Sequence, residues 1–118
     1  MTREAGGKPP PSISPDELRA QLDLGSLPVV IDVRTADEYT AGHVPGAVNV
    51  PFWKVLASGL PTDVKSTDPI VVYCGHGPRA HMAMLGMRLR GFTNLCELDG
   101  HWVEWQARRF PVARGTQP

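Results

Sequence analysis

The 118-residue chain has little of what staples or anchors a small protein. It has two cysteines, Cys74 and Cys96, and no Cys-x-x-Cys, which excludes a disulfide framework and makes a reducing cytoplasm the expected compartment. No apolar run approaches the ~20 residues that cross a bilayer. The opening MTREAGGKPPPS lacks the apolar segment of a secretory signal. An excess of one charge is missing too: 12 Lys/Arg balance 12 Asp/Glu, so neither a nucleic-acid nor a membrane-surface protein is indicated. No internal repeat is present.

What remains is an ordinary globular composition, 42% hydrophobic and 20% charged. A chain of this length makes one domain, able to bury roughly two-thirds of its unfolded surface. With 12 Gly and 12 Pro, many turns are expected. Charge is uneven along the chain. Between Pro69 and Cys96 there is no acidic side chain, while Arg79, Arg88, Arg90, His76 and His81 all lie there. That stretch suits a local anion.

Residues 1–11 read as a flexible arm and 113–118 as a flexible tail, leaving residues 12–112 as the domain. Ile13 is extended. Ser14 caps a helix with Pro15 at its first position and Glu17 three residues on, a capping box, and Leu18 and Leu22 supply its apolar face. Leu27–Val33 has no alternation and suits a strand buried on both faces. Thr35–Ala41 forms a short helix ended by Gly42, Ala47–Val50 a short strand, and Phe52–Ser58 a helix stopped by Gly59 and Pro61. Pro69–Tyr73 is a second buried strand, Ala80–Arg90 a helix, Asn94–Leu98 a strand and Trp102–Arg108 the last helix. Strands alternating with helices predict an α/β domain with a mostly parallel sheet of about five strands, covered on both faces.

The informative stretch is YCGHGPRAHMAMLGMR, Tyr73–Arg88. A buried strand ends at a cysteine, a glycine-rich turn follows, and a helix starts almost at once. Ligands of open α/β sheets bind at the carboxyl ends of strands. Turn amides and the positive end of a helix stabilise an anion there, whether a bound oxyanion or the Cys74 thiolate itself. A thiol so placed ionises more readily and becomes a working nucleophile. Gly75 and Gly77 permit the necessary backbone, and Arg79 offers a fork of donors to an oxyanion.

With these residues in view, the chain resembles the rhodanese-like sulfurtransferases over roughly residues 12–112. Three segments carry the likeness: VIDVRTADEYTAGHVPGAVNVP from Val30 to Pro51, the loop CGHGPR from Cys74 to Arg79, and LDGHW from Leu98 with Trp105 beyond it. The resemblance implies a single rhodanese-like domain in which Cys74 attacks the sulfane sulfur of thiosulfate or a persulfide. A Cys74 persulfide forms, and a thiophilic acceptor then removes its outer sulfur. By the same resemblance, amides of Gly75, His76, Gly77, Arg79 and Ala80 cradle that sulfur, Arg79 orients the anionic donor, and Asp32 and Arg34 brace the loop. A thiol or cyanide acceptor, or a sulfur-carrier protein, is the implied partner. No metal and no organic cofactor is expected.

Related phosphatases carry five residues between the cysteine and the arginine. Here four separate Cys74 from Arg79, and the smaller ring favours sulfur as the atom attacked. The chain also departs from the commonest family pattern. Pro78 removes one amide donor, Ala80 replaces a frequent Ser, and His101 replaces a glycine. Two other readings stand beside the main one: an arsenate reductase or small phosphatase using the same thiolate, and a docking module without catalysis, in which Cys74 would be unreactive. For either enzyme, sulfur 74 must be reachable and the loop amides aimed at it.

Plainer roles exist for the neighbouring residues. Cys96 reads as strand packing. His43 reads as a structural hydrogen-bonding residue, and Met82, Met84 and Met87 as helix packing. Trp102 and Trp105 read as core closure, and Arg108, Arg109 and Arg114 as a solvated set. His76 offers its backbone more readily than its ring. Cys74, His76, His81, His101 and Cys96 invite a metal reading, but while Cys74-x-His76 could be half a zinc site, no second ligand pair follows it.

Overall fold

The computed structural model describes residues 11–25 and 28–118. Leu27 and most of the N-terminal arm therefore lie outside the described residues. The elements run β1 (Ser12–Ile13), α1 (Pro15–Leu24), β2 (Val29–Asp32), α2 (Ala36–Ala41), β3 (Val48–Asn49), α3 (Phe52–Ser58), β4 (Ile70–Tyr73), α4 (Pro78–Leu89), β5 (Leu95–Leu98) and α5 (His101–Ala107). All strand pairs are parallel and the order is β1-β5-β4-β2-β3. The α/β expectation holds, with every strand pair parallel rather than most.

Alternation along β4 divides the core in two. Ile70, Val72 and Cys74 point to one face, where Val55 of α3 and Ala83, Met84 and Met87 of α4 cover them. Val71 and Tyr73 point to the other, against Leu18, Tyr39, Trp102 and Trp105. Because both faces are covered, all four residues of β4 are buried, which is why its sequence runs apolar without a break. The Trp102 and Trp105 rings close the second core as expected. Cys96 packs with that same core, on the face opposite Cys74, and both cysteines are free.

Helix ends follow local chemistry. Ser14 and Glu17 form the anticipated capping box. Thr35 and Glu38 form a second one. Helix α4 begins at Pro78, two residues before the expected Ala80, because a proline at the first helical position lacks only an amide that would have no intrahelical partner.

The segment 113–118, expected as a flexible tail, makes backbone contacts with the domain. Ala113 exchanges backbone hydrogen bonds with His43, and the Gly115 amide donates to Thr40 O. The imidazole of His43 is fully buried, with Nδ1 2.8 Å from Tyr39 O and Nε2 3.0 Å from Gln117 O. At the other end Pro11 O accepts from Glu97 N, so the last residue of the N-terminal arm is tied to β5.

Candidate active site

Chain order reverses between β2, which leads outward to β3, and β4, which leads the other way to β5. The crevice at their carboxyl ends is where an open α/β sheet binds its ligand. Asp32 and Tyr73 are register partners at the ends of these two strands. Arg34 closes on Asp32 from two residues away, with Nη2 2.7 Å from Oδ2 and Nε 3.0 Å from Oδ1. The same arginine donates to Gly42 O and lies over the Trp102 ring. Burial, helped by the Asp32 charge, holds the Tyr73 phenol well above its ordinary pKa. Its hydroxyl therefore donates to Asp32 Oδ2 (2.8 Å) while accepting from Val44 N (3.0 Å). Asp32 and Arg34 thus fasten the base of the loop through Tyr73, the residue before Cys74.

Cys74 follows directly and turns under the first turn of α4. That helix has no side-chain N-cap; the sulfur takes the place of one. Gly77 N donates to Sγ at 2.9 Å, and the Ala80 amide favours the ionised sulfur. Gly77 reaches this geometry at φ +142°, in the region that favours glycine. Of the five amides anticipated for the cradle, that of Gly77 makes the hydrogen bond to the sulfur. Gly75 serves through its carbonyl, which accepts from Val103 N, and Cys74 O accepts from Trp102 N, so the loop is also tied to α5. His76 is exposed on the loop.

Two features set how the loop meets its surroundings. Arg79 does not present a free guanidinium to the loop: Nη1 and Nη2 meet the two oxygens of Glu38 at 2.7 and 3.1 Å. The acid-poor stretch draws its carboxylate from α2, and Arg79 clamps the loop to that helix. Nor is the sulfur open to solvent, since Cys74 is 1% exposed beneath the turn.

A third arrangement was not legible as a unit. His101, the first residue of α5, is buried at φ +56°, a left-handed conformation unusual for a residue with a side chain. Its Nδ1 lies 3.2 Å from Cys74 N, and its side chain favours the ionised form of the Cys74 sulfur. Its Nε2 lies 2.9 Å from Glu97 Oε2, and His81 Nε2 of α4 lies 3.0 Å from that same oxygen. These are N–H···O spacings, with the carboxylate as shared acceptor.

Burial is the largest single influence on the Cys74 thiol and raises its pKa. The His101 side chain and the Ala80 and Gly77 amides together outweigh it and bring the value down to about 7. Cys96 shows the contrast: with no such donors, burial pushes its thiol up. An ionisable sulfur under a cage of amides at the end of a central strand can act as a nucleophile.

Fold and loop together define a rhodanese-like protein, and the family model described as the rhodanese-like domain matches residues 14–108, so the chain belongs to that family. The chain is 32% identical over 92 residues to the senescence-associated protein DIN1 of Raphanus sativus, an alignment covering 70% of this chain and 50% of that protein. It is 33% identical over 106 residues to a 3-mercaptopyruvate sulfurtransferase of Mus musculus, covering 70% of this chain and 36% of the relative. The chain thus spans about half or less of the length of these curated relatives. Among solved structures, the human single-domain sulfurtransferase TSTD1 superposes with a TM-score of 0.71 at 29% identity, covering 83% of this chain and 96% of that one. The BH2092 protein of Bacillus halodurans gives 0.79 at 25% identity, covering 90% and 77%. Among the described residues no helix is long and apolar enough to cross a membrane.

Proposed function

We propose that the protein is a sulfurtransferase that carries sulfane sulfur on Cys74, taking it from thiosulfate or a persulfide and giving it to cyanide, a thiol or a sulfur-carrier protein. The observation that carries this reading is the Cys74 sulfur held by the Gly77 amide at the start of α4, with its pKa at about 7. In the first step the thiolate forms a bond to the outer sulfur of thiosulfate, the S–S bond of the donor breaks, and sulfite leaves with the electron pair. In the second, the acceptor attacks the outer sulfur of the persulfide and Cys74 leaves as thiolate. No net oxidation occurs and each half-reaction conserves charge, so ping-pong kinetics follow. Relatives named as sulfurtransferases support the reaction class. The four-residue spacing to Arg79 favours sulfur over phosphate.

At 1% exposure Cys74 falls short of the reach that either enzyme requires, and this favours one second reading, a docking domain without turnover. Intact-mass measurement after incubation with thiosulfate separates the two. A gain of one sulfur atom, removed by cyanide and absent in Cys74→Ser, is expected. Equal sulfur loading of Cys74→Ser, or no loading of the parent chain by thiosulfate or a persulfide, overturns the assignment.

A further inference from the structure

We propose that His101 and Glu97 form a proton-holding pair for Cys74: the thiol's proton passes to His101 Nδ1, and Glu97 holds the resulting imidazolium through Nε2. This deepens the sulfur-transfer reading above and rests on it for its purpose. The thiolate would then be both the attacking group of the first half-reaction and the leaving group of the second.

The placement supports this in three ways. First, the Cys74 amide lies 3.2 Å from His101 Nδ1, so the buried ring sits against the residue that carries the sulfur. The neutral ring accepts from the amide, and the protonated ring donates to the sulfur. Second, Nε2 is committed to Glu97 at 2.9 Å, and the carboxylate is largely enclosed, with 18% of its side chain exposed. A carboxylate on the far nitrogen fixes the ring's orientation and favours its charged form. Third, the backbone is placed at some cost. His101 stands at φ +56° directly after Gly100 at φ +72°, so a side chain is carried where glycine is easiest. A Cβ on Gly77 would lie 3.5 Å from His101 Nε2, so the loop glycine closes directly over the imidazole.

The charged and titratable groups around the ring come from three elements: Cys74 from the loop after β4, Glu97 from β5 and His81 from α4. Arg79, whose charge also reaches Cys74, is already matched by Glu38. His81 shares the Glu97 oxygen but is more than half exposed, so its charge is the more screened of the two.

His101→Asn tests the pair. Asparagine tolerates the left-handed backbone and its side-chain oxygen can accept from the Cys74 amide, but it cannot become a cation. His101→Gly is the second variant and removes the backbone strain altogether. The readout is the thiolate's ultraviolet absorbance against pH, which requires no sulfur donor. In both variants the midpoint is expected to rise from about 7 towards that of free cysteine, leaving roughly ten-fold less thiolate at neutral pH. Glu97→Gln moves it the same way by less. Unmoved midpoints in both His101 variants overturn the proposal, and an unmoved Glu97→Gln overturns the part given to the carboxylate. A shifted midpoint in a chain that loads no sulfur keeps the proton pair and removes the sulfur-transfer reading. Loading with an unshifted midpoint does the reverse.

Discussion

Arg79 and Glu38 join the loop to helix α2: two guanidinium nitrogens meet two carboxylate oxygens at 2.7 and 3.1 Å, across forty-one positions of sequence. Each partner also has a second task. Glu38 accepts from Thr35 N and Oγ1 at the start of α2, and the Arg79 Nη2 lies 3.2 Å from where a Cβ on Gly75 would be. The arginine that the loop motif suggested for a substrate anion is thereby a clamp on the loop.

Replacing Glu38 with Gln breaks this clamp. Hydrogen bonding from Arg79 is the chief reason the Glu38 carboxyl falls to about 2. A depressed carboxyl stabilises the fold above its ordinary pKa, and that contribution fades as pH drops towards the folded value. Glu38 is 39% exposed, so screening limits the effect; Glu38→Gln is expected to cost about 1 kcal/mol at neutral pH. Urea denaturation of both proteins at several pH values should show the difference shrinking below pH ~4. A constant difference across that range would count against the pair.

Asp32→Ala should be far more damaging. It leaves the Arg34 guanidinium buried without its carboxylate and takes the acceptor from Tyr73 Oη. Breaking a buried pair by removing one partner costs about 3–5 kcal/mol. Thermal unfolding is expected to move down by well over ten degrees, and a change of only a few degrees would show the pair to be dispensable.

Cys74 should alkylate with a midpoint near pH 7 yet slowly. The midpoint follows from its lowered pKa and the slowness from its 1% exposure. Rates of iodoacetamide labelling against pH separate the two effects. The plateau should lie below that of a small thiol of the same pKa, and in urea the midpoint should return to about 8.5. Since the folded value is the lower one, the thiolate stabilises the fold above the unfolded pKa, and this is lost as pH falls through about 7.

Deleting residues 113–118 removes the backbone pairing of Ala113 and leaves His43 without its Gln117 partner. At ~0.5–1.5 kcal/mol for each of the four hydrogen bonds that the segment makes, a loss of about 2–6 kcal/mol is expected. Chemical denaturation of the shortened chain measures it, and unchanged stability would mean that the segment is bound too loosely to matter.

Much of the architecture was legible because it is local. Proline after Ser14, Glu17 at the capping-box spacing, and the unbroken apolar run of β4 each act within a few residues. The same holds for Cys74: a strand, a glycine turn and a helix start are contiguous, so the cage of amides could be anticipated. What could not be read was the choice of partners. Arg79 draws its carboxylate from Glu38, one helix away. The polar segment after Val112 gave no compositional sign of pairing with His43, because backbone hydrogen bonds leave no mark on side-chain type.

His101 marks the boundary most clearly. In sequence it is a histidine after a glycine, and only the parallel register of β4 and β5 brings it and Glu97 to the same end of the sheet as the cysteine. The chain by itself determined where a reactive sulfur would stand and which helix would cap it, since those effects act over one turn of backbone. Tertiary packing alone decided how deep that sulfur lies and which charges surround it. Burial and Coulomb interaction depend on distances between segments that the order of residues does not contain.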